Sequence, residues 1–134
     1  MQPHTAASLN ALSNKIIGGA LAIHRTFGSG LLESAYLACL CHELRLSGLQ
    51  VETQRPLPLN YRGLTLDCAY RADVLVEGVL LIEVKAVDAY TDVHTRQLLT
   101  YLKLADCRLG LLLNFGAARM HEGIKRVVND FPRE

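Results

Sequence analysis

The sequence predicts an α/β fold: a mixed β-sheet flanked by helices, in the order α-α-β-β-β-α-β-α. Three observations carry this expectation. Leu9, Leu12, Ile16, Ala20, Ile23 and Phe27 recur at helical spacing near the start of the chain. Two apolar runs, centred on Ala72–Val76 and Val79–Val84, meet at the acidic turn Glu77-Gly78. Arg108 to Phe115 is nearly continuous apolar sequence, as in a strand buried on both faces. Helices and strands mixed in this way form layered α/β or α+β sandwiches.

Each element follows in order. Residues 8–26 read as the first helix, and Gly28-Ser29-Gly30 breaks it. A second helix runs from about Leu31 to Leu46 and stops at Ser47-Gly48. Residues 49–60 read as extended, with Pro56 and Pro58 marking an edge strand or an irregular segment. Tyr61-Arg62-Gly63 is a turn, and strands follow over about 64–76 and 79–87. A third helix covers 92–105, capped by Thr91 or Asp92. After the apolar strand, a short helix around 121–129 closes the order.

The length of 134 residues suits one domain over 1–134, without repeats or linkers. The net charge of +1 gives no global basic signal, so any polyanion site must be a local patch. Cys39, Cys41, Cys68 and Cys107 match no zinc spacing and read as reduced thiols. No stretch is long and apolar enough to span a membrane. Met1-Gln2-Pro3-His4 does not open a signal peptide, so the expected location is cytoplasmic.

Asp73, Glu83 and Lys85 interrupt the apolar hairpin. Charges in core-bound strands are usually paired or bind a metal. Two carboxylates and a lysine on adjacent strands could hold a divalent cation and polarise a phosphate; the alternative is an ordinary solvated strand face. Glu83 and Lys85 share a face by alternation. Asp73 joins them only in some registers. A two-residue loop at Glu77-Gly78 pairs Val76 with Val79 and turns Asp73 away. A three-residue loop with a left-handed Gly78 pairs Leu75 with Val79 and turns Asp73 toward Glu83. The expectation is the second register, or a bulge with the same effect.

Glu33 heads the apolar stripe of the second helix, with Tyr36, Leu37, Leu40 and Leu44. It reads either as a first-turn acid favoured by the helix dipole or a capping box, or as a third carboxylate aimed at the hairpin. Gln97 and Tyr101 share a face of the third helix. Gln97 could bind a phosphate, a water or a base, or be a surface amide. His24 and His94 are open between packing and chemistry. Gly28-Ser29-Gly30 lacks the lysine that follows in a phosphate-cradling loop, which counts against a nucleotide phosphohydrolase.

Gly30-Leu31-Leu32-Glu33-Ser34-Ala35-Tyr36 resembles the signature of the bacterial GxxExxY proteins. The resemblance covers about Ile16 to Val128. It takes in His24–Gly30, Tyr70-Arg71-Ala72-Asp73, Glu83-Val84-Lys85-Ala86, Val93–Lys103 and Gly110–Gly116. That family is grouped with the PD-(D/E)XK nuclease-like superfamily, so the resemblance implies a restriction-endonuclease-like core. It maps the superfamily motif onto Asp73, Glu83 and Lys85. Glu33 is similar to the helix glutamate beside the metal, and Gln97 with Tyr101 to a Gln-x-x-x-Tyr element. Ala72 stands where the motif has proline, a position with no metal-binding role.

The resemblance implies a nuclease acting on DNA or RNA with Mg²⁺ or Mn²⁺. Asp73, Glu83 and the Val84 carbonyl are the expected ligands, with Glu33 reaching the ion directly or through water. Lys85 is expected to orient the attacking water or stabilise charge on the phosphate, and Gln97 and Tyr101 to support it. Arg71, Arg96 and Lys103 are candidates for backbone phosphate contacts, or ordinary surface charges. Small nucleases often pair to span a duplex, so a homodimer is allowed, without an interface signal in the sequence. The alternative function is a catalytically silent nuclease fold that binds nucleic acid or a protein partner.

Overall fold

The computed structural model describes residues 5–89 and 92–133. Thr5 opens the first helix, α1 (Ala6–Phe27), through a reciprocal capping box with Ser8. Gly28, at φ 71°, ends it. Next come α2 (Glu33–Leu46), β1 (Val51–Tyr61), β2 (Leu64–Val76) and β3 (Leu80–Lys85). They are followed by α3 (Asp92–Ala105), β4 (Leu109–Asn114), a 3-10 turn (Met120–Gly123) and β5 (Ile124–Val128). The proposed cap Thr91 lies outside the described residues, and Asp92 is the first helical residue. No helix among the described residues is long and apolar enough to cross a membrane.

The five strands form one mixed sheet in the order β1-β2-β3-β4-β5. Only the β3–β4 pair is parallel, and α3 supplies its crossover. β3 and β4 are central and buried on both faces, as their apolar sequences demand. One core lies between the sheet and α1 and α2, built on Leu80, Ile82, Val84, Leu111 and Leu113. The second lies under α3, where Leu98 and Leu102 meet Leu81 and Leu112. Alternation along β3 therefore sends Glu83 and Lys85 to the side of Leu81.

The closing segment differs from its expected helix. Residues 124–128 form an edge strand, antiparallel to β4, with Leu113 opposite Ile124 and Leu109 opposite Val128. Ile124, Val127 and Val128 are β-branched and suit a sheet. The exposed Lys125 and Arg126 belong on an edge that must not recruit another strand. The open ladder of β4 outweighed the weak helical pattern.

The β2–β3 turn also departs in detail. Glu77 (φ 53°) and Gly78 (φ 69°) are both left-handed, and the Val79 N–H returns to the Val76 carbonyl at 3.0 Å. That is a tight two-residue turn. The ladder nevertheless pairs Val76 with Leu80, Leu75 with Leu81 and Val74 with Ile82. Val79 is thus an extra, bulged residue, and the expected Leu75–Val79 pair does not form. The bulge alternative does, and it brings Asp73 level with Glu83. Glu77 accepts its left-handed backbone because it is docked. Its N–H donates to the Gln50 carbonyl at 2.9 Å, and its carboxylate accepts the Gln50 N–H at 2.6 Å.

Candidate active site

β2 and β3 part company beyond the Val74–Ile82 pair, and side chains take over where the backbone ladder stops. The Asp73 N–H donates to Glu83 Oε2 at 2.8 Å, and the Val84 N–H donates to Asp73 Oδ2 at 2.9 Å. Each carboxylate thus grips the opposite strand. Glu83 is buried, only 7 % exposed, and Asp73 is half-buried.

Asp73 owes its place to a turn-over of the β1–β2 ribbon. Val51, Val74 and Val76 pack on the α1–α2 core, and Thr53 lies against α2. Leu57 and Ala72 pack under α3, and Tyr70 meets Tyr101 there. Both strands therefore change face at Gln54 and Asp73, which lie between the pairs Thr53–Val74 and Arg55–Ala72. Gln54 makes the change by adopting φ 53° in mid-strand. A non-glycine residue there is uncommon and strained. The Gln54 side chain also lies close enough to the Asp73 carboxylate to favour its ionised form.

Burial is the main force on both acids. It pushes the Glu83 carboxyl up to about 7, reinforced by the Asp73 charge and, more weakly, by Glu33. The Asp73 N–H and the Lys85 ammonium oppose this without cancelling it. Burial also raises Asp73, against the Val84 N–H, Lys85 and Gln54. Two crowded carboxylates with one nearby lysine form a site short of positive charge.

Glu33 is the exposed first residue of α2. Its N-cap, Leu32, makes no side-chain cap, so no capping box accounts for the glutamate. Tyr36 fixes the chain entering this turn. Its hydroxyl accepts the Leu31 N–H at 3.0 Å and donates to the Gly28 carbonyl, while its ring stacks on Phe115 at 4.5 Å. Among the described residues, no group of three His, Cys, Asp or Glu is gathered tightly enough to hold a metal ion. The close carboxylate pair is Asp73 and Glu83, with Glu33 acting at longer range.

On the α3 side, Tyr101 is half-buried; burial and then the Glu83, Tyr70 and Asp73 charges raise its hydroxyl pKa. Gln97, Arg96 and Tyr101 line one depression, and Tyr101 is its link to the Glu83 and Asp73 charges. Arg71, opposite Pro56, and Lys103, in the last turn of α3, are exposed and do not line it. His24 has a packing role, its Nε2 bonded to the Ala117 carbonyl at 2.9 Å.

The model of the PD-(D/E)XK nuclease superfamily matches residues 10–127. The chain belongs to that superfamily. Comparison with curated proteins and with solved structures gives no match. The mixed five-stranded sheet with three helices is the restriction-endonuclease-like core of the PD-(D/E)XK nucleases.

Two residues that shape this candidate site are ones to which the sequence assigned no role. Gln54 gives no sign in sequence, because glutamine has no special preference for left-handed backbone. Asn114, buried at the end of β4, clamps the chain leaving Lys85. It accepts the Val87 N–H at 3.0 Å and donates to the Val87 carbonyl at 2.9 Å. A polar residue ending an apolar strand, followed by Gly116, was the available signal. Any Cβ at Gly116 would collide with the Val87 backbone.

Proposed function

We propose that the chain is a Mg²⁺- or Mn²⁺-dependent nuclease that hydrolyses phosphodiester bonds of DNA or RNA at Asp73, Glu83 and Lys85. The observation that carries this reading is the Asp73–Glu83 pair across the strand fork, buried beside Lys85. Mg²⁺ is commonly held by one or two carboxylates while keeping several waters, which suits this donor set. Asp73 and Glu83 would hold the ion with the Val84 carbonyl, and Glu33 would reach it through water. When bound, such a cation lowers the pKa of a water and neutralises charge on the phosphate.

Lys85 follows Glu83 on the same strand face and orients the attacking water or the phosphate oxygens. An unperturbed lysine is protonated near neutral pH, so Lys85 acts as a cation rather than as a base. Gln97 and Tyr101 support the water or the phosphate from α3. Arg71, Arg96 and Lys103 contact the polymer backbone.

Within the superfamily we assign the chain to the GxxExxY branch, on Gly30, Glu33 and Tyr36. Residues 1–134 read as one nuclease-like domain, supported by the continuous match over 10–127. A cytoplasmic location is supported by four unpaired cysteines. A bacterial source and a homodimer belong to the same reading.

The test is cleavage of single-stranded, duplex and branched DNA and RNA with and without Mg²⁺ or Mn²⁺. The native chain should cut only with the metal, and Asp73→Ala and Lys85→Ala should not. Activity that survives both substitutions would exclude this site. Metal-free binding without any cleavage would assign the chain to the silent nucleic-acid-binding alternative.

A further inference from the structure

The depression that Tyr101 shares with Arg96 and Gln97 has chemistry of its own. Tyr70 from β2 and Tyr101 from α3 form its aromatic part, with ring centroids 5.3 Å apart and a 43° tilt. Tyr70 remains 44 % exposed, which leaves part of this side chain open to a ligand. Val93 adds an apolar wall, and Arg96, Gln97 and Thr100 form the polar part of the lining. Arg96 is in neither ion pair found among the described residues. The space is about 190 Å³, below the several hundred Å³ of a pocket for a drug-sized ligand. It suits one flat ring system.

We infer that this depression is a subsite for one unpaired nucleobase of a single-stranded nucleic acid, stacked on Tyr70 and placed beside the scissile phosphate. The inference rests on the nuclease reading and adds the substrate class. A base inside a duplex has both faces covered, so only an unpaired base can use an exposed ring. Gln97 and Thr100 are suited to its polar edge, and Arg96 to the neighbouring phosphate. The chain's net charge of +1 leaves little general electrostatic affinity, so ring stacking must supply much of the binding.

The test reads binding without turnover, by fluorescence anisotropy of labelled oligonucleotides in EDTA. Single-stranded DNA, single-stranded RNA and blunt duplex DNA are compared on the native chain, Tyr70→Ala and Tyr70→Trp. A single strand should bind more tightly than the duplex, and the DNA and RNA arms identify the sugar. Tyr70→Ala should weaken single-strand binding about 5- to 150-fold, whereas Tyr70→Trp should preserve it. One abasic position should weaken the native chain similarly and leave Tyr70→Ala unchanged. If Tyr70→Ala fails to fold, the abasic series and Tyr70→Trp still decide the matter.

The subsite is overturned if Tyr70→Ala binds single strands within about twofold of the native chain, or if no abasic position matters. It is equally overturned if the blunt duplex binds as tightly as the single strand. Stacking-dependent binding without cleavage leaves the subsite standing and removes only the hydrolytic reading. Cleavage that persists with no Tyr70 dependence removes the subsite alone.

Discussion

The backbone N–H of Asp73 donates to the carboxylate of Glu83 at 2.8 Å, so one acid of the pair holds the main chain of the other. The Asp73 carboxylate in turn holds the Val84 N–H at 2.9 Å. The strands part here, and the pair substitutes for two rungs of the ladder. Structure and chemistry therefore converge on the same oxygens, and the substitutions that test the site must respect both.

Asp73→Asn keeps a carbonyl-type oxygen for the Val84 N–H but removes the charge. Mg²⁺ or Mn²⁺ affinity should fall at least about tenfold in a calorimetric titration, because the proposed site would lose one of its anionic ligands. The Glu83 carboxyl should move down toward its ordinary range, since the Asp73 charge is the second cause of its elevation after burial. A Glu83 titration that does not move in this variant would contradict the coupling.

Glu83 gives a direction for the pH dependence of metal-free stability. Its carboxyl titrates near 7 in the folded chain against 4.5 for an ordinary glutamate. The folded state therefore binds the proton more tightly than the unfolded state. This contribution is complete below about pH 4.5 and is lost as pH rises through about 7. Asp73, also raised, acts in the same sense. Urea unfolding in EDTA should show the native chain losing about 1–3 kcal/mol relative to Glu83→Gln between these limits. Saturating divalent cation should flatten or reverse the trend, because a cation held as proposed would bind the ionised pair.

Gln54 joins a strained backbone to a useful side chain, and two substitutions separate them. Gln54→Ala keeps the positive φ and loses the polar contact with Asp73, costing about 0.5–1.5 kcal/mol in denaturant unfolding. Gln54→Gly loses the same contact but relieves the backbone, and should be about 1 kcal/mol more stable than Gln54→Ala. Both should weaken metal binding to a similar degree. If the glycine variant alone restored affinity, the side-chain contact would be irrelevant.

Tyr36→Phe retains the stack on Phe115 and removes the hydroxyl that laces Gly28 to Leu31. A cost of about 1–3 kcal/mol is expected in thermal or denaturant unfolding, since the Leu31 N–H loses its partner. Hydrogen exchange should rise at Leu31 and in the first turn of α2, where Glu33 sits. Unchanged protection there would show that the turn holds without the tyrosine.

Much of this arrangement was legible because it depends on alternation and apolar content. The bounds of β2 and the central burial of β3 and β4 follow from those patterns. So does the parity that puts Asp73 with Glu83, although the pairing came through a bulge at Val79 rather than the expected Leu75–Val79 contact. What the sequence hid was set by partners far along the chain. Residues 124–128 became a strand because β4 offered an open edge. Glu77 holds a left-handed conformation because Gln50 receives it. The turn-over at Gln54 exists because α2 and α3 claim opposite faces of one ribbon.

That turn-over has a mechanical consequence. The hairpin end bearing Tyr61, Leu64 and Leu66 stands exposed beyond Leu57, while the ribbon's other end is wedged under α1 and α2. Gln54 and Asp73 lie at the swivel between them. A pull on the hairpin tip acts as torque about the aspartate, with the fixed end as anchor. The residue on which the chemistry would depend is also the fulcrum of that lever.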